Sequence, residues 1–124
     1  MTLRNAISWF DIPTLDFERA LKFYNTVLGV PLREDVFMGQ KLAYFPMEQK
    51  GEVGGDLLPP SKHNKPSRTG TLVYFSVDNI DDVLARVEKA GGKIIEHKYP
   101  LGIPGFKAVI EDTEGNVVGL HSAK

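Results

Sequence analysis

The sequence predicts a single α+β domain over residues 1–124, built from one β-α-β-β-β unit used twice. Three observations lead there. Two stretches carry apolar residues at helical spacing and end on a glycine, Gly29 and Gly91. Each has one strand-like run before it and three after it. The halves also match at a nearly constant offset: Asp16 with Asp78 and Gly29 with Gly91 at 62, Gly51 with Gly115 and Gly55 with Gly119 at 64, and Ile12 with Val77 at 65. Loop insertions account for that drift, so the internal repeat covers residues 4–58 and 71–122, joined by 59–70.

Residues 4–12, rich in Ile, Trp and Phe, fit a strand packed on both faces and stopped by Pro13. Asp16 is placed to cap a helix whose apolar positions Phe17, Ala20, Leu21, Tyr24, Val27 and Leu28 recur at three and four. Glu18 and Lys22 add an ion pair on its outer side. Strands are expected at about 31–36, 41–47 and 52–58, divided by Met38-Gly39 and by Gln49-Lys50-Gly51. In the second half, a strand at 71–77 leads to a helix at 78–90 with Ile80, Val83, Leu84 and Val87 on one side and an Asp82–Arg86 pair on the other. Strands at 93–99, 106–112 and 116–122 follow, with turns at 101–105 and 112–115. Gly102 to Gly105 precedes a strand rather than a helix, which makes it a turn and not a phosphate cradle.

Composition removes several functions. With no cysteine, there is no disulfide framework, thiol nucleophile or thiolate metal site. Fifteen basic against sixteen acidic residues leave no positive excess for nucleic acid. Residues 1–6 hold one arginine with no long apolar stretch behind them, so neither a signal peptide nor a membrane span is expected and the cytoplasm is the expected location. The joining segment, with three prolines, His63, Lys62, Lys65 and Arg68, is a linker or else a lid over an anionic ligand.

The period of two sorts each strand into a helix-facing set and an open set. Val73, Phe75 and Val77 suit the helix side, which leaves Leu72, Tyr74 and Ser76 on the other face and makes Ile7, Trp9 and Asp11 their counterparts. In the last strand Val118 and Leu120 suit the helix, leaving Val117, Gly119 and His121; the corresponding set in the first half is Val53, Gly55 and Leu57. Two such sheets side by side would form a curved mixed sheet around a concave pocket with an apolar and aromatic wall, which suits a small molecule. Phe45 and Phe106 stand on inner strands of unsettled facing, where they serve either the core or that wall.

The stretches Asp16-Phe-Glu-Arg-Ala-Leu-Lys-Phe-Tyr-Asn-Thr-Val-Leu-Gly29, Ser76-Val-Asp-Asn79, Gly91-Gly92 and Asp112-Thr-Glu-Gly-Asn-Val-Val-Gly-Leu-His121 resemble the vicinal oxygen chelate superfamily. That group holds glyoxalase I, bleomycin-resistance proteins and extradiol dioxygenases, and the likeness is greatest to small bacterial glyoxalase-like proteins. The resemblance implies two modules around a cleft and, in the metal-using members, four ligands of the His, Gln or Glu type on the leading and final strands. Here those positions correspond to Ile7 (or Trp9), Gly55, Leu72 and Gly119, none with a coordinating side chain. No metal and no cofactor is therefore expected, the one unorthodox donor set being His121 with Asp11. The resemblance also implies a homodimer, with halves paired within a chain or swapped between chains.

The expected function is binding of an unknown small organic molecule in the cleft, as in bleomycin resistance-like members, with Trp9, Tyr74, Leu72, Ile7, Leu57, Phe45 and Phe106 as contacts. The alternative is a metal-independent lyase or isomerase acting on a carbonyl compound, with Asp11 or His121 as acid or base. Against those roles, Asp11 also suits a strand end beside Pro13, and His121 a strand-end histidine satisfied by backbone. A non-catalytic dimeric interaction or regulatory module is the third reading.

Overall fold

The computed structural model describes residues 5–48 and 51–124. Arg4, at the expected start of the first strand, and Gln49 and Lys50 of the second expected turn lie outside the described residues.

The first module runs β1 (Trp9–Pro13), α1 (Phe17–Leu28), β2 (Arg33–Phe37), β3 (Gln40–Tyr44) and β4 (Gly54–Leu58). The second repeats the order as β5 (Tyr74–Ser76), α2 (Ile80–Val87), β6 (Lys93–Gly102), β7 (Gly105–Glu111) and β8 (Val117–Ser122). Each module makes its own four-stranded mixed sheet, in the orders β1-β4-β3-β2 and β5-β8-β7-β6, with the leading strand parallel to the last one. This is the α+β architecture of two βαβββ modules that the sequence predicts.

Local chemistry sets the helix limits. Asp16 accepts the Arg19 N–H at 3.1 Å at the start of α1, and Gly29 ends it at a φ of 72°, where a side chain would clash with the backbone. Ala20, Leu21, Phe23, Tyr24 and Val27 form its buried stripe. Asn79 caps α2 by accepting the Asp81 N–H at 2.8 Å. That helix is shorter than the expected 78–90, because Gly91 and Gly92 turn the chain and donate back to Glu88 and Val87. β6 exceeds its expected end at residue 99 and pairs as far as Gly102, with several register shifts. It is the outer strand of its sheet, where Pro100 breaks no ladder on a second side.

Both modules share one core. Phe10, Tyr24 and Phe45 of the first half meet Phe75 of the second, with Phe10–Phe75 at 5.7 Å and Phe45–Phe75 at 5.0 Å between ring centroids. Edge-to-face and tilted contacts of this kind add to the area that the rings remove from water.

A polar clasp fixes the modules beside that core. Asp112, in the turn before β8, accepts the Tyr24 hydroxyl at 2.7 Å, the Asn116 side-chain amide at 3.0 Å, and the backbone N–H groups of Glu114 and Asn116. Asn116 in turn donates to the Pro13 carbonyl at 2.8 Å. Glu114 reaches the start of α1, taking the N–H groups of Leu15 and Asp16 at 2.7 Å each and a two-pronged contact from Arg19. Burial opposes its charge, but the Arg19 hydrogen bond, the Asp16 N–H, the Thr113 hydroxyl and the Leu15 N–H outweigh burial and hold the carboxyl at about 2. Burial, then the charge and hydrogen bond of Asp112, push the Tyr24 phenol well above its ordinary range.

Candidate functional site

The alternation in β1 and β4 defines the first open face. Phe10 and Ile12 enter the core, so Trp9 and Asp11 point away from it. In the parallel register Trp9 lies opposite Gly54, Phe10 opposite Gly55, Asp11 opposite Asp56 and Ile12 opposite Leu57. Residues paired across a sheet share a face, so Gly54 and Asp56 belong to the open side, and Gly55 and Leu57 to the core. A Cβ built on Gly55 would stand 2.4 Å from the Phe10 ring, which places that glycine under a core side chain.

This corrects two expectations. Gly55 and Leu57 were assigned to the open face by matching Gly55 with Gly119, but Gly54 is the true counterpart, at the same offset of 65 that relates Trp9 to Tyr74. Gly54 and Gly55 are adjacent, so glycine matching alone has two solutions, and the wrong one reverses every side chain in the strand. Phe45 is also in the core, among Phe10, Tyr24 and Phe75. Phe106 packs partly against the core, with the Lys98 ammonium 4.4 Å from its ring centroid, and so lies on the helix side as well.

Trp9 and Tyr74 lie on the open faces of their strands, and Ile7 and Leu72 precede those strands. Ile7, Trp9, Leu72 and Tyr74 are all exposed, Trp9 by 43% and Tyr74 by 44%. In each module an aromatic ring from the leading strand lies over a glycine of the last strand. A Cβ on Gly54 would come within 2.9 Å of the Trp9 ring, and one on Gly119 within 2.4 Å of the Tyr74 ring. Tyr44, which the sequence reading did not single out, stands edge-on to Trp9 at 6.0 Å and carries the Arg33 guanidinium 4.5 Å above its ring. Its place on the open face follows from its pairing with Asp56.

The acid and base candidates are separated. His121 Nε2 is 2.7 Å from the Pro104 carbonyl, and because a carbonyl only accepts, that nitrogen carries the proton. Asp11 is exposed and lines a cleft of about 300 Å³ with Thr71, Asn116 and the linker residues Asn64, Lys65 and Ser67. The linker is tied down there: the Ser67 carbonyl accepts the Val117 N–H, and Arg68 pairs with Glu111.

Beside Asp11 is a residue that the sequence reading missed. Asp56 is only 7% exposed, and its Oδ1 has no hydrogen-bond partner. Burial, then the hydrogen bond and charge of Asp11, push this carboxyl up from 3.8 to about 7, against a smaller downward pull from the Trp9 side chain. An aspartate in the apolar run Val53-Gly-Gly-Asp-Leu-Leu58 was the available signal.

The model of the Glyoxalase/Bleomycin resistance protein/Dioxygenase superfamily matches residues 6–120. The chain belongs to that superfamily. It is similar to a glyoxylase-like domain-containing protein of Didymella fabae, 31% identical over 125 residues that span 94% of this chain and 92% of the other. It is similar also to the putative glyoxylase CFP32 of Mycobacterium tuberculosis (strain CDC 1551 / Oshkosh), 29% identical over 119 residues. That match takes in 94% of this chain and 45% of CFP32, so the chain spans less than half the length of this relative. Among solved structures, TnmS3, an antibiotic binding protein from Streptomyces sp. CB03234, aligns over 100% of both chains with a TM-score of 0.70 and 22% identity, a likeness of fold.

The donor positions that the resemblance implies fall on Ile7 or Trp9, Leu72, Gly119 and Gly55, and the β1–β4 register moves the last of these to Gly54. Hydrocarbon, an indole and two hydrogens do not fit a divalent ion, which needs convergent nitrogen or oxygen side chains. Among the described residues no group of three or more His, Cys, Asp or Glu is positioned to hold one. His121 and Asp11, the unorthodox pair, stand on strands of different sheets. Among the described residues no helix is long and apolar enough to cross a membrane.

Proposed function

We propose that this superfamily member binds a small organic molecule between its modules, over the open sheet faces, without a divalent metal. The observation that carries the reading is the aromatic ring laid on a glycine in each module, Trp9 over Gly54 and Tyr74 over Gly119. Flat, exposed rings offer stacking area where a chelating side chain would otherwise project. TnmS3, with the same fold, is an antibiotic binding protein, in keeping with this use. A homodimer belongs to the proposal, because Ile7, Trp9, Leu72 and Tyr74 are left uncovered in a single chain and a second copy would enclose them. The setting we assign is the cytoplasm.

The test is mass spectrometry of whatever copurifies, joined to elemental analysis after dialysis. An organic molecule retained by the wild type and lost in Trp9→Ala and Tyr74→Ala is the expected result. Stoichiometric zinc, nickel, manganese or iron, or retention unaffected by both substitutions, would count against it.

A second reading, a metal-independent lyase or isomerase acting on a carbonyl compound, draws support from the place of Asp11, exposed at a cleft and adjacent to the partly protonated Asp56. His121 is less suited, since Nε2 is committed to Pro104. Under that reading Asp11→Asn spares binding and abolishes turnover.

A further inference from the structure

We propose that Asp11 and Asp56 together form the anchor for a protonated amine, so that the ligand of this face is an aromatic or apolar molecule bearing an ammonium group. This rests on the small-molecule reading above and names the chemical class it takes.

The two carboxyl groups face the same side of adjacent parallel strands, directly opposite in register. Asp56 is buried with an oxygen, Oδ1, that has no hydrogen-bond partner, a state that is costly until a donor arrives. Asp11 is the accessible member and forms part of the cleft wall. The neighbours select for a cation. Trp9 lies two residues before Asp11 on the same face and Tyr44 is the cross-strand partner of Asp56, so two aromatic rings border the carboxyls. The protein's own Arg33 already lies on Tyr44 in this way.

Among the described residues, two basic groups bear on the site. Arg33 is engaged with Tyr44 and with Asp35 at 3.9 Å. Lys65 supplies the one opposing charge on the cleft lining and is exposed, where solvent and salt screen it. A neutral ligand would leave Asp56 holding its proton against Asp11. An ammonium replaces that proton as the group shared by the two oxygens, so binding near pH 7 releases part of one proton.

The experiment is isothermal calorimetry on the full chain with benzylamine and its neutral counterpart benzyl alcohol, in two buffers of different ionisation heat. The quenching of Trp9, the sole tryptophan, provides a second readout. Benzylamine is expected to bind about tenfold more tightly than the alcohol, with heats that depend on the buffer. In Asp56→Asn the preference is expected to fall below about twofold and the buffer dependence to vanish. If both probes bind equally to the wild type, or the asparagine variant keeps the preference, the amine anchor is overturned and small-molecule binding stands. If neither probe binds, both fall.

Discussion

Glu114 and Asp56 are both buried carboxyl groups, yet they titrate on opposite sides of the ordinary range, at about 2 and about 7. Glu114 receives two backbone N–H groups, a hydroxyl and a guanidinium, which together outweigh its loss of water. Asp56 has another carboxyl for a neighbour and an oxygen that nothing satisfies. Burial is common to both, so partners decide the sign. Chemically, the first group is spent on holding two modules together, and the second retains capacity for something that is not part of the chain.

The largest effect that would break this contrast is loss of Glu114. Glu114→Ala strands the Leu15 and Asp16 N–H groups and should cost about 3 kcal/mol in urea unfolding. A cost below about 1 kcal/mol would mean that the clasp is ornamental. Tyr24→Phe removes one donor from Asp112 in the same clasp and should cost about 1–2 kcal/mol.

The pH dependence sharpens the comparison, because the two signs differ. The Glu114 carboxyl is lowered from 4.5, so its contribution is complete above that value and is lost as pH falls towards 2. The Asp56 carboxyl is raised from 3.8, so the folded chain keeps a proton that the unfolded chain gives up. Stability therefore declines as pH rises through 3.8 to about 7, and the full penalty remains above that window. Asp56→Asn should thus stabilise the protein at about pH 8 by on the order of 1 kcal/mol and have little effect near pH 3.5. Urea midpoints at the two pH values check this, and a gain of equal size at both would remove the titration from the account.

Two further effects concern the rings on glycine. Gly119→Ala puts a methyl into the body of the Tyr74 ring and should cost about 1–2 kcal/mol. Gly54→Ala meets an edge of the Trp9 ring and the flexible Met47 sulfur and should cost less than about 1 kcal/mol, with a shift in tryptophan emission as the measurable sign.

Much of the fold was legible because its signals are local. The two helices show in their period and in Asp16, Gly29 and Gly91, and the module order follows from runs and turns. Alternation correctly assigned Trp9, Asp11, Tyr74 and His121 to their faces. It failed in β4, where consecutive glycines hide the phase, and that one step carried Leu57 to the wrong side. The superfamily motif Asp112-Thr-Glu-Gly-Asn116 was legible as a turn, but its task as a clasp was not.

By itself, then, the amino-acid order determined what short-range forces decide: two repeated units with their caps and turns. Tertiary structure alone decided which carboxyls meet which partners. Tyr24 and Asp112 are separated by 88 residues, and Asp11 reaches Asp56 through a parallel pairing that closes after α1, β2 and β3 have intervened. A charge in a protein takes its character from neighbours in space, and periodicity along the chain does not record them.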